Sequence, residues 1–193
     1  ADAILARQCR EVHPFTQAAG GGWSWTDRPG GVPDGDDTAA ALLALDALGA
    51  EDLPAATAGV KWLLGVQNSD GGFPTFCKGW GLLPFDQSCC DITAHALAAM
   101  GAWRERISRG SLRRRVDKSI KRGLKFLHAR QEPDGRWLPL WFGNEQARGH
   151  VNGVYGTSRV VVLLAGKGGD AADLIDAGRA YLLAQQNSDG GWG

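Results

Sequence analysis

QNSDGGF at 67–73, QEPDGRW at 131–137 and QNSDGGW at 186–192 are one phrase written three times. No other feature restricts the fold of this chain as much. Each copy has Gln, then Asp three residues later, Gly next and an aromatic six after the Gln, and the copies stand 64 and 55 residues apart. Such recurrence denotes a repeat architecture, in which each unit buries its apolar face only against its neighbours. Asp-Gly is turn chemistry, the glycine supplying positive φ just past a helix end. The Gln amide is placed to bond free backbone groups there while the ring packs on the turn. Gln67, Gln131 and Gln186 are therefore read as staples at the ends of outer helices.

Two kinds of helix alternate between the phrases. Residues 112–127 and 171–184 are amphipathic; in the first, Leu112, Val116, Ile120, Leu124 and Leu127 form one stripe with Arg and Lys opposite. Residues 37–49, 91–102 and 152–165 are apolar nearly all round. A helix of that kind must be surrounded. Half-exposed and surrounded helices in alternation fit an outer and an inner ring, so the expected fold is all-α: part of an α/α toroid, with no period-2 strand competing. Residues 1–193 are expected to be one partial toroid domain. The chain opens on Ala1 and stops on GGWG, within a phrase, so it is read as a piece of a longer protein.

The surrounded helices share an opening. DDTAA at 36–40, DITAH at 91–95 and YGTSR at 155–159 align on Thr38, Thr93 and Thr157, spaced 55 and 64. Helix starts of one ring face one rim of a barrel, where Asp36, His95 and Tyr155 are expected to converge.

Bulk properties exclude some function classes. Lys plus Arg equals Asp plus Glu at 21 each, which gives no electrostatic case for nucleic acid. Four cysteines, two of them the adjacent Cys89 and Cys90, do not make a disulfide framework and point to a reducing, cytoplasmic compartment. No stretch approaches the ~20 apolar residues of a spanning helix, and no basic-then-apolar leader opens the chain. Arg104 to Arg130 holds eleven Arg or Lys against Glu105 and Asp117. That is ordinarily the solvated face of an outer helix; the other reading is peripheral contact with anionic lipid.

GGVPDGDDTAAALLAL, residues 30–45, gathers Asp34, Asp36 and Asp37 where a helix is about to be buried. Carboxylates this close repel, and burial makes each charge more costly. One reading is a helix cap, favoured by the dipole. The other is a held proton, because a cluster cannot lose every proton without stacking negative charge.

With these residues assembled, the chain resembles the squalene–hopene cyclase and oxidosqualene cyclase family. PDGDDTA at 33–39 is similar to the family's Asp-x-Asp-Asp-Thr-Ala acid motif, DITAHAL at 91–97 to its second inner helix and VNGVYGT at 151–157 to its third. The Gln/Trp phrases are the family's hallmark. The resemblance runs from GGWSW at 21–25 to the end. It implies a class II isoprenoid cyclase, which protonates an alkene or epoxide of squalene or another linear isoprenoid and needs no metal or other cofactor. By motif position it implies Asp36 as proton donor, Asp34 and Asp37 flanking it, and His95 hydrogen-bonded to the acid site. Trp25, Phe76 and Tyr155 would line the cavity. The segments 74–90 and 136–153 depart from the family pattern, so the substrate does not carry over, nor does the oligomeric state. A half barrel leaves its inner helices open to water, so the 193-residue chain alone is expected to be inactive.

Two other classes compete. One is a toroid that binds isoprenoids without turnover. The other is a prenyltransferase-like zinc enzyme using Cys77, Cys89, Cys90, Asp91 and His95. Adjacent cysteines are not a usual ligand spacing, and no C-x-x-C occurs.

Overall fold

The computed structural model describes residues 1–28, 30–77, 86–107, 110–165 and 171–192. A short α1 (Asp2–Ala6) is followed by α2 (Gly35–Ala47), α3 (Leu53–Val66), α4 (Cys90–Trp103), α5 (Ser111–Arg130), α6 (Gly153–Leu164) and α7 (Ala172–Ala184). The only strands among the described residues are β1 (Phe73–Pro74) and β2 (Ser88–Cys89), an antiparallel pair with Phe73 opposite Cys89. Helix α4 lies between α2 and α6, and α3, α5 and α7 back onto this inner layer. The fold is a segment of an α/α toroid.

Composition sorts the layers. Twelve of the fourteen residues of α4 are buried, and its run of alanines lets neighbouring helices approach closely. In α5 only Leu112, Val116, Ser119, Gly123, Phe126 and Leu127 are buried, one stripe on a basic helix. Side-chain caps set the starts of α2, α3 and α6: Asp34, Asp52 and Asn152 accept the amides of Asp37, Ala55 and Tyr155. Helix α3, which the sequence pattern leaves unmarked, has its cap in Asp52 and Pro54 in its first turn. Trp103 of α4 is fully buried, and its indole N–H donates to Leu42 O of α2 at 2.8 Å. A ring of this size contributes roughly 4–6 kcal/mol of gross apolar burial.

The recurring phrase builds one turn each time. Gln67 Nε2 donates to Gly71 O at 2.8 Å, Gln131 to Gly135 O at 2.9 Å and Gln186 to Gly190 O at 2.7 Å. Those glycines have φ of 96°, 90° and 88°, where a side chain would be strained. The glutamine also reaches forward to the next outer helix, Gln67 to Ser119 O and Gln131 to Leu174 O, both at 3.0 Å. Trp137 and Trp192 return their indole N–H to Leu127 O and Leu182 O, each at 2.8 Å. The backbone N–H of Phe73 and of Trp137 donates to Thr93 and Thr157 Oγ1, both at 2.9 Å. The shared threonine thus pins each inner helix to the turn before it.

A fourth copy exists that the sequence pattern conceals. Gln8 Nε2 donates to Gly21 O at 2.8 Å and to Ala55 O of α3 at 2.9 Å. Trp23 returns its indole N–H to Ile4 O, its amide donates to Thr38 Oγ1, and Gly21 has φ 115°. Gln and aromatic stand 15 residues apart here instead of 6, so the phrase is unrecognisable while its hydrogen bonds persist. Thr157→Val keeps the shape but leaves the buried amide of Trp137 unpaired. It is expected to cost about 1–3 kcal/mol, measured by urea denaturation.

Candidate active site

The threonine anchors put the first turns of α2, α4 and α6 in one register, with Asp36, Asp91 and Tyr155 two residues before the anchor and Ala40, His95 and Arg159 two after. Gly35, at the start of α2, donates its amide to Thr75 O at 2.8 Å. A Cβ on Gly35 would stand 2.6 Å from Pro74 O, so only glycine lets the helix start sit this close to the segment after β1.

From this base the structure brings two of the singled-out residues together. His95 Nδ1 lies 2.6 Å from Asp36 Oδ1, linking α4 to α2 across 59 residues of sequence. The imidazole is nearly enclosed, 9% exposed, whereas the Asp36 side chain is 51% exposed. The hydrogen bond to His95 holds the Asp36 carboxyl below the usual carboxylate range against the opposing effect of burial, and the charges of His95 and Arg159 add to it.

Asp34 is different. It is buried, caps α2 through the Asp37 amide, and shares a side-chain hydrogen bond with Asp37. Burial first, then that bond and the neighbouring carboxylates, pushes its carboxyl up to about 9. Within the cluster, Asp34 is thus the member pushed toward its protonated form, while Asp36 is pushed toward the carboxylate. Because the folded-state value of Asp34 lies above the unfolded one, the unfolded chain releases its proton first. Stability therefore falls as pH rises from about 4 to about 9, by up to ~1.4 kcal/mol per unit. Asp34→Asn is expected to flatten that slope in denaturation at pH 5 and pH 8.

Two aromatic pairs stand on the segments that border these helix starts. Trp25 and Phe76 meet edge to face with centroids 6.4 Å apart. Tyr155 lies against Phe142 at 4.9 Å, its hydroxyl pushed upward chiefly by burial. Sequence reading missed Phe142 and Trp141, which sit in the long segment before α6. The Trp141 indole donates to Thr75 Oγ1 at 2.6 Å, tying that segment to the loop carrying Phe76. The pairing of two divergent segments was a signal, but their mutual contact was not readable from spacing.

The cysteines do not form a ligand set. Cys89 donates its thiol to Asp91, and Leu140 donates its amide to Cys89 Sγ at 3.3 Å. Burial pushes the thiol of Cys90 up to about 12 and that of Cys89 in the same direction. Among the described residues no three of His, Cys, Asp or Glu are grouped to hold a metal. Also among them, no helix is long and apolar enough to cross a membrane. Much of the basic stretch has partners: Arg104 pairs with Asp117 and Glu105, Arg106 with Asp46, and Arg122 with Asn68 and Ser69 carbonyls. Arg109 lies outside the described residues.

The architecture is that of the type II terpene cyclases. The fold superimposes on the enzyme MstE from Scytonema, solved as a variant in complex with geranylgeranyl dihydroxybenzoate, with a TM-score of 0.64 at 19% identity over 97% of this chain and 47% of that one. Residues 10–193 match the squalene–hopene cyclase C-terminal domain, and the chain belongs to that family. It is 29% identical over 194 residues to a probable squalene–hopene cyclase of Sinorhizobium fredii, covering 90% of this chain and 27% of the relative. It is 32% identical over 195 residues to a terpene cyclase–glycosyl transferase fusion protein of Humicola fuscoatra, covering 90% and 14%. The chain thus spans about a quarter or less of the length of these two relatives.

Proposed function

We propose that this chain carries the acid site of a class II cyclase acting on squalene or a related linear isoprenoid. The observation that carries the reading is the 2.6 Å contact between Asp36 and His95 at an aromatic rim. Membership of the squalene–hopene cyclase family supports it.

In this reading Asp36 supplies the proton from the carboxyl oxygen that His95 does not engage. The alkene π pair forms a C–H bond, the O–H bond breaks, and a carbocation faces a carboxylate held by the imidazole. Further double bonds attack in turn to close rings. The last cation loses a proton, so the overall change is an isomerisation. Trp25, Phe76 and Tyr155, joined by Trp141 and Phe142, offer ring faces worth roughly 0.5–2 kcal/mol each to a cation while adding no strong nucleophile. The half-exposed Asp36 regains its proton from water. Burial, by favouring the protonated form of Asp34, limits the negative charge beside Asp36. Each step uses side chains alone, and the proposed cofactor requirement is none.

We further place the protein on the cytoplasmic side, with peripheral contact to lipid, where an apolar substrate resides; residues 1–193 would be one part of a larger toroid. Incubation of the full-length protein with squalene and with shorter polyprenyl substrates, followed by product analysis, tests the activity. Cyclised hydrocarbon is expected; unchanged substrate throughout would refute the reading. Binding without any product would identify a non-catalytic toroid.

A further inference from the structure

Among the described residues, every α-helix but one has a side-chain cap or a carboxylate in its first turn. Helix α5 has neither: Gly110 stands at its cap, and Arg113, Arg114 and Arg115 crowd the positive end of its dipole. At about 100° per residue, Arg114, Lys118, Lys121 and Lys125 fall in a sector roughly 60° wide, opposite the buried stripe of the helix. All four are exposed, and together they span about 16 Å. Successive members stand three or four positions apart, the spacing at which like charges destabilise a helix. Several neighbours are engaged: Arg113 pairs with Glu105, Asp117 with Arg104, and Arg122 with the Asn68 and Ser69 carbonyls. The four ridge cations have no ion pair among the described residues. Neighbouring α3 adds Lys61 and no carboxylate. A chain with 21 basic and 21 acidic residues thus gives up local helix stability to hold four cations free in one line.

We infer that this ridge docks on the surface of an anionic phospholipid bilayer. The inference places the lipid contact of the cyclase reading, and rests on that reading for its purpose, access to an apolar substrate. Four or more Lys and Arg along an amphipathic helix are what a layer of anionic headgroups attracts. The arrangement suits a flat surface better than a groove. Gln67, at the end of α3, holds Ser119 of α5, and Gln131, at the end of α5, holds Leu174 of α7. Helix α5 is therefore one stave of a continuous outer layer, whereas the major groove of a duplex admits a single projecting helix or ribbon. Its exposed face also carries no Asn, Gln, Phe, Tyr or Trp to read or stack on bases. Lys118, Lys121 and Lys125 have long flexible stems that carry the charge outward to the headgroups.

The test uses the full-length protein, a variant with Arg114, Lys118, Lys121 and Lys125 all changed to Gln, and one with the three lysines changed to Arg. Each is sedimented with vesicles of phosphatidylcholine alone and of phosphatidylcholine with phosphatidylglycerol, at low and high salt. Wild type is expected to favour the anionic vesicles, and to do so less at high salt. At about fivefold per cation, the Gln variant should bind them about 10²–10³-fold more weakly, and the Arg variant like wild type. The Gln variant should melt at or above the wild-type midpoint, since it loses only repulsion along the ridge. Equal binding by wild type and the Gln variant, or no preference of wild type for the anionic vesicles, overturns the inference. Tighter binding of wild type to a duplex oligonucleotide than to the vesicles overturns it in favour of nucleic acid. Docking through the ridge without cyclised product from squalene or shorter polyprenyl substrates leaves the ridge standing and removes the cyclase reading. Cyclised product without anionic preference removes the ridge alone.

Discussion

Asp36→Asn in the full-length protein is expected to lower the yield of cyclised product by about 10²–10⁴-fold, the range that a positioned acid contributes. The fold should hardly notice. Asn is nearly isosteric, its carbonyl can still accept from His95, and the cap of α2 belongs to Asp34 rather than Asp36. With the side chain 51% exposed, stability should stay within about 0.5 kcal/mol. Asp52→Asn is the suitable comparison: it caps α3 in the outer layer, and Asn caps equally well. Asp46 is not neutral for this purpose, because it pairs with Arg106. Product yield and thermal midpoint for the variants decide the matter. A near-wild-type yield from Asp36→Asn would reduce the Asp cluster to helix capping.

The largest stability effect is expected at Trp137. Its ring is fully buried, its indole N–H bonds Leu127 O, and its amide bonds Thr157. Trp137→Ala opens a cavity beside Gly178, where a Cβ would stand 2.9 Å from the ring, and should cost about 3–5 kcal/mol. Trp192 is the same residue in the same phrase with the same indole bond, to Leu182, but is 47% exposed. Trp192→Ala should cost about 1 kcal/mol or less in this chain. Denaturant midpoints give both values. Equal losses would mean that the turn, rather than the burial of the ring, carries the energy.

The contrast between those two tryptophans marks where sequence reasoning reaches its limit. Period and turn chemistry gave both the same role, and both form the same bond, yet only packing against the next outer helix separates them in energy. Asp36 and His95 were legible as a pair because the threonine register recurs in every inner helix. Which carboxyl is pushed toward its protonated form was not legible: Asp34 and Asp36 differ by two positions in sequence, and the burial of one and the His95 hydrogen bond of the other set them apart. Helix α3 was overlooked because its Gly, Ala and Thr content blurs the stripe that Lys and Arg make plain in α5. Gln8 was hidden by intervening chain.

That intervening chain says something about how freely this scaffold can be altered. Nine more residues separate Gln8 from Trp23 than separate Gln67 from Phe73, and the latch, the glycine and the threonine anchor are all in place. The extra loop satisfies itself, with His13 N donating to Ala18 O and Gln17 N to His13 O. Geometry is specified at the two ends of the turn, and the length between them is a free variable. A peptide tag or a small reporter domain spliced between the exposed Pro14 and Phe15 would sit on solvent, away from the latch, the glycine and the threonine anchor.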